Sequence, residues 1–224
     1  MNNDMDYHWM IQRLRDVINI GAFPGKDPKS DELPKRSPFQ VLISTILSQR
    51  TKDANTHVAS KSLFEYYDTP EKLAEAPLKK IKELIRPAGF FNVKSERVRE
   101  VAQIIAEEYD GEVPNDMSEL LSLPGVGRKT ANCVLVYAFK EPAIPVDTHV
   151  HRISNRLGIA DTKSPDKTEK VLNHEIPKEY WIEINRLMVE FGKKICRPRN
   201  PKCDVCPLCE KCRYYEEVYV DENR

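Results

Sequence analysis

The residues most able to do chemistry lie in Leu123-Pro124-Gly125-Val126-Gly127-Arg128-Lys129-Thr130-Ala131 and, eighteen residues beyond Lys129, in Pro145-Val146-Asp147-Thr148-His149. An apolar helical run (Leu120, Leu121, Leu123) stops at Pro124, and a second helix is predicted from about Arg128 through Phe139. Two helices joined by Pro-Gly-x-Gly make a tight hairpin whose glycines allow positive φ and leave backbone N–H groups open. Such groups at a helix N-terminus suit a phosphate, and contact through backbone is independent of nucleotide sequence. Lys129 falls in the first turn of the second helix. As a neutral amine it is a nucleophile able to form a Schiff base with an aldehyde carbon. Beside a phosphate it is equally an ordinary counter-charge, and spacing leaves both readings open. Asp147 precedes a helix carrying Val150, Ile153 and Leu157 and is a natural N-cap. Facing the same cleft, its carboxylate can also stabilise a cationic sugar or accept a proton.

Five of the six cysteines crowd into one short segment: Cys196, Cys203, Cys206, Cys209 and Cys212. The N-terminus MNNDMDYHWM has no basic-then-apolar leader, so clustered thiolates point to metal rather than to disulfides. Cys196, Cys203, Cys206 and Cys212 could wrap one iron–sulfur cubane or a tetrahedral zinc ion, with Cys209 left over. The spacing does not choose between them. Cys133 sits in an apolar run and is expected in the core.

The elements that must position these residues are helical. Phe39, Leu42, Ile43, Ile46 and Leu47 repeat at helical spacing, as do Val98, Val101, Ala102, Ile105 and Tyr109, and Trp181, Ile184, Leu187, Met188 and Phe191. No sustained alternating run predicts a sheet. Gly89, Gly111 and Gly158 follow helical patterns as C-terminal caps do. A first helix is expected at about Tyr7–Ile20, then a loop over 21–38 rich in glycine and proline. The 224 residues carry 35 basic and 35 acidic side chains, yet charge is segregated: Lys193–Arg213 holds seven basic residues against two acidic. A locally basic face in a neutral chain is compatible with nucleic acid. The longest apolar run, Cys133–Phe139, is far shorter than a bilayer span.

Taken together, the Leu123–Ala131 hairpin, Val146-Asp147-Thr148-His149 and the four-cysteine loop resemble the endonuclease III family of helix–hairpin–helix DNA glycosylases, from about Phe39 to Cys212. The resemblance implies an all-α protein of two helical domains. A six-helix barrel would span about 30–142, with the hairpin at about 116–139. The segments 1–29 and 143–224 would form a discontinuous second domain, and DNA would lie across the cleft between the two. It implies Lys129 and Asp147 as catalytic residues, and a [4Fe–4S] cluster on Cys196, Cys203, Cys206 and Cys212 that shapes a basic loop. DNA contacts are implied at Gln49, Arg50, Thr51, Gly125, Val126, Gly127, Arg128, Thr130 and His149. The implied activity is excision of oxidised pyrimidines followed by strand cleavage at the abasic site, with uracil or thymine mismatch glycosylase activity as the alternative. A third alternative is a DNA-binding module without catalysis. The implied partner is double-stranded DNA containing damaged bases or abasic sites, and a cytoplasmic monomer, nucleoid-associated if prokaryotic, is expected. One departure stands out. The family's early helix ends Leu-Ser-(Ala or Ser)-Gln, its glutamine filling the gap left by the flipped base. Here Leu47-Ser48-Gln49-Arg50 puts Arg50 in that place.

Overall fold

A computed structural model describes residues 5–19 and 36–219, all of whose regular elements are helical. The loop expected over 21–38 lies almost wholly outside the described residues, as does Ile20. The chain divides into two compact units, one of Lys35–Glu141 and the other of Met1–Pro34 with Pro142–Arg224.

In the Lys35–Glu141 unit, α2 (Pro38–Ser48) is the central element, packed on α3 (Asp53–Phe64), α6 (Phe91–Glu108) and α8 (Arg128–Val134). Its stripe of Phe39, Leu42, Ile43, Ile46 and Leu47 is buried as its spacing predicts. The helix begins in a capping box. Ser37 Oγ accepts from Gln40 N–H at 3.2 Å, Gln40 Oε1 accepts from Ser37 N–H at 3.3 Å, and Pro38 fits the first helical position. The short helices α4 (Pro70–Ala74) and α5 (Leu78–Leu84) pack on α6, whose Val98, Val101, Ala102 and Ile105 are fully buried. The hairpin is formed by α7 (Met117–Ser122) and α8. α8 does not run as one α-helix to Phe139: it passes into a π-helical turn at Leu135–Phe139. Cys133 is in this core.

In the other unit, α1 (Tyr7–Asn19) lies on α11 (Trp181–Lys194). α9 (Thr148–Leu157) packs on α10 (Pro165–Glu175) and on α11. Met10, Ile11 and Leu14 meet Ile153, Leu187, Met188 and Phe191 in one core. Arg15 Nε donates to Glu183 at 3.2 Å across the α1–α11 pair. α9 ends at Gly158, whose φ of 80° places it in the left-handed region that terminates a helix. Beyond α11 the chain makes short 3₁₀ turns at Cys203–Val205 and Cys209–Lys211.

Candidate active site and nucleic-acid interface

The hairpin is built from its own backbone. Asp116 caps α7 by accepting from Ser118 N–H at 2.8 Å and Glu119 N–H at 3.1 Å. Val126 N–H then donates to Leu123 C=O at 3.1 Å and closes the turn. The two glycines differ. Gly125 has φ 73°, in the left-handed region where a side chain is strained whatever the space around it, so the turn itself favours glycine; the end of the Arg97 side chain packs over it. Gly127 caps α8 at φ −98°, open to any residue, and a Cβ there would meet nothing in the chain within 4 Å. Of the pair expected at positive φ, only Gly125 takes it. The absence of a side chain at Gly127 keeps clear a space on the outer surface of the turn.

Lys129 follows in the first turn of α8 with its side chain exposed, Arg128 being half-buried. Val126 and Thr130 turn inward and are buried, so these two positions can offer a partner only their backbone.

The end of α2 reaches this hairpin. Gln49 Nε2 donates to Gly125 C=O at 2.9 Å and to Thr130 Oγ1 at 3.3 Å. Arg50, in the left-handed region at φ 54°, projects outward, its guanidinium 5.3 Å from the centre of the Phe90 ring. Thr51 Oγ1 hydrogen-bonds to Ala88 C=O and accepts from Lys94 Nζ at 2.7 Å. Of three neighbours expected to face DNA, Gln49 and Thr51 thus hold the protein together, and Arg50 presents its side chain. Phe90 and Lys94 were missed in the sequence. The exposed Phe90 sits beside glycine in what reads as an ordinary helix start, and Lys94 reads as one more surface lysine of α6.

In the other unit, Asp147 caps α9. Its Oδ1 accepts from the N–H groups of His149 and Val150, both at 2.9 Å, and the side chain is half-buried. A carboxylate here complements the positive end of the helix. Asn185 Nδ2, from α11, donates to Pro145 C=O at 2.7 Å and fixes the segment that delivers Asp147. His149 Nδ1 lies 3.2 Å from Arg152 Nη2, which also donates to Cys196 C=O at 2.9 Å. A Cβ at Gly192 would come within 2.5 Å of His149 Nδ1, so the glycine of α11 makes room for that ring.

The cysteine loop closes on a space lined by Cys196, Cys203, Cys206 and Cys212, with Ile153, Leu157 and Phe191 as its apolar floor. Cys209 does not line it. The loop steps in threes: the N–H groups of Cys206, Cys209 and Cys212 each donate to the carbonyl of the preceding cysteine, at 3.1, 3.3 and 3.1 Å. Arg156 of α9 donates to Cys196 Sγ at 3.4 Å, to Arg197 C=O at 2.7 Å and to Pro198 C=O at 3.1 Å. Its guanidinium also lies 4.4 Å from the Tyr214 ring centre. Burial, reinforced by the neighbouring thiols, pushes Cys203 up to about 11. Burial likewise takes Cys206 up to about 12 and raises Cys212.

A helical hairpin of this kind, an adjoining lysine, a capping aspartate and a C-terminal thiol loop define a class of DNA-repair fold. The chain belongs to the HhH-GPD superfamily of base excision DNA repair proteins, which it matches over residues 43–178. Within it, the chain is similar to the endonuclease III of Thermotoga maritima, with 50% identity over 215 residues, 96% of this chain and 98% of that protein. A solved non-covalent endonuclease III–DNA complex is similar at TM-score 0.82 and 37% identity, over 96% of this chain and 99% of that one. A trapped endonuclease III–DNA covalent intermediate, an estranged-adenine complex, is similar at TM-score 0.82 and 36% identity, over 98% of this chain and all of that one.

Proposed function

We propose that this chain is a bifunctional DNA glycosylase. It takes a damaged pyrimidine nucleotide out of the duplex, releases the base, and cuts the strand on the 3′ side of the abasic site. The observation that carries this reading is Lys129 itself. An exposed amine stands one residue pair beyond a glycine hairpin, in a chain similar along nearly its whole length to a protein trapped covalently on DNA.

The hairpin binds the DNA backbone. Gly127 leaves room for a phosphate to approach main-chain N–H groups, and Arg128 adds positive charge. Affinity for undamaged duplex therefore falls steeply with salt. The damaged nucleotide swings out of the stack, at least cost where it already pairs badly. Arg50 enters the gap, while Gln49 braces the hairpin behind it. The amine of Lys129 bonds to C1′ of the sugar, the glycosidic bond breaks, and the base leaves with the bonding pair and takes a proton. Asp147 stabilises the positive charge developing on the sugar and assists proton transfer. Ring opening gives a Schiff base between Lys129 and C1′. The imine acidifies C2′–H; loss of that proton expels the 3′ phosphate by β-elimination, and hydrolysis of the imine frees Lys129.

The four thiols of the loop line one space, a donor set suited to an iron–sulfur cluster, and the chain's similarity to endonuclease III supports that group over zinc. Cys196, Cys203, Cys206 and Cys212 would hold a [4Fe–4S] cluster, which cross-links the loop and supplies no hydrolytic chemistry. Arg152 and Arg156 tie α9 to this region, so the loop supports the helix that Asp147 caps.

The test of substrate is a panel of duplexes, each with one lesion, incubated with the full-length protein. Release of an oxidised pyrimidine with a nick at the lesion is expected. Arg50 in the gap-filling position favours one second reading, a glycosylase for uracil or thymine opposite guanine. Selective cutting of those mismatches would establish it instead.

A further inference from the structure

Two sharp reversals lie side by side in the Lys35–Glu141 unit. One follows α2, where Arg50 takes φ 54°; the other precedes α6, where Gly89 takes φ 62° and Phe90 φ 48°. Each reversal exposes one large side chain, and these two side chains stack on one another. Phe90 is 61% exposed, an unusual position for a phenylalanine that packs into no core. Left-handed backbone is uncomfortable for arginine and phenylalanine alike, and such residues persist only where their surroundings over-determine them.

Lys94 supplies that constraint. It is 4% exposed, in the first turns of α6. Its Nζ donates to Leu47 C=O at 2.7 Å, to Thr51 Oγ1 at 2.7 Å and to Ala88 C=O at 3.0 Å. Three donors thus meet three uncharged acceptors. Leu47 C=O is in the last turn of α2 and Ala88 C=O ends the 3₁₀ turn Arg86–Ala88. Carbonyls at helix ends have no partner within the helix and favour a positive charge. Thr51 Oγ1 completes the ring by bonding to Ala88 C=O. A buried ammonium is costly, and Met or Leu would fill the space without that cost. The charge is useful only because it ties both reversals to one atom. Burial, and then the nearby Arg97 guanidinium, hold its pKa below the ordinary lysine value.

We propose that Lys94 is a positioning residue for lesion recognition: its buried ammonium locks the two reversals together, so that Arg50 and Phe90 act as one stacked unit that fills the gap left by the flipped nucleotide and meets the base opposite. The proposal rests on the DNA-repair reading above. Lys94 touches no reacting atom; it acts through Arg50 and Phe90.

The test uses full-length wild type, Lys94→Met and Thr51→Val. Each is titrated into an undamaged duplex and into one carrying a tetrahydrofuran abasic analogue opposite 2-aminopurine. The analogue has no aldehyde, so Schiff-base chemistry plays no part, and 2-aminopurine emission reports whether its stacking changes. Wild type is expected to prefer the abasic duplex and to change the emission on binding. Lys94→Met is expected to bind undamaged duplex within about twofold of wild type. Its preference for the abasic duplex should fall at least about tenfold, with the emission change lost. Thr51→Val, which removes one acceptor, should lose about threefold of the preference and covers the case in which Lys94→Met does not fold. Variants that keep the wild-type preference and emission change overturn the proposal, as does an equal loss of affinity for both duplexes, the mark of general destabilisation. A wild type that binds both duplexes alike overturns the repair reading together with it.

Discussion

The hairpin around Gly125 and the loop from Cys196 to Cys212 are both short irregular stretches that present reactive groups, and they are held in opposite ways. The hairpin is completed by the chain itself. Its turn closes from Val126 to Leu123, Gln49 reaches across to Gly125 and Thr130, and Arg97 packs against Gly125. Its lysine, Lys129, is exposed. The cysteine loop turns inward. Its four thiols line a shared space on an apolar floor, and three-residue turns set their spacing without filling that space. The first region is closed by contacts within its own unit. The second gathers its thiols around one space and is tied to α9 of its own unit through Arg152 and Arg156.

Substitutions can break this contrast, beginning where the effect is largest. Cys206→Ser should leave the loop without a full ligand set, so that purified protein retains less than about one iron per chain, against about four in wild type. Full iron retention would show that Cys206 is no ligand. Gly125→Ala should come next. It forces left-handed backbone onto alanine, at a cost of about 1–3 kcal/mol. That is a fall of several degrees in Tm by calorimetry. Gly127→Ala sharpens the comparison: Tm should stay within about 1 °C while affinity for duplex drops severalfold, because only the approaching phosphate needs the space. Equal losses in Tm from the two glycines would mean that both are structural. Ser37→Ala removes the capping box of α2 and should cost about 1 kcal/mol, measured by chemical denaturation. The smallest effect belongs to Cys209→Ser. Its iron content should match wild type, since Cys209 does not line the space.

The helical stripes were legible in the sequence because burial on one face repeats every 3.6 residues. Phe39 to Leu47 and Val98 to Ile105 are buried as their spacing requires. The hairpin was legible because proline and glycine punctuate it, and Asp147 because a carboxylate is a good N-cap. What could not be read was the division of labour among neighbours. Gln49 and Arg50 are adjacent and both polar. Only the bond from Gln49 to Gly125, 76 residues away, makes one a brace and leaves the other outward. Lys94 was hidden for the same reason, since its three acceptors come from two other turns. Cys209 was already set apart from the other four clustered cysteines by the sequence, and in the folded loop it does not line their space. The π-helical turn at Leu135–Phe139 carries no sequence punctuation at all.

The most direct test of the account is borohydride trapping on a labelled duplex with one natural abasic site, comparing wild type with Lys129→Ala after iron analysis has shown the same loading in both. The account predicts a covalent protein–DNA band with wild type and none with the variant, because the imine that borohydride reduces forms on the Lys129 amine. An equal band from Lys129→Ala would place the Schiff base on another amine and contradict the role given to Lys129.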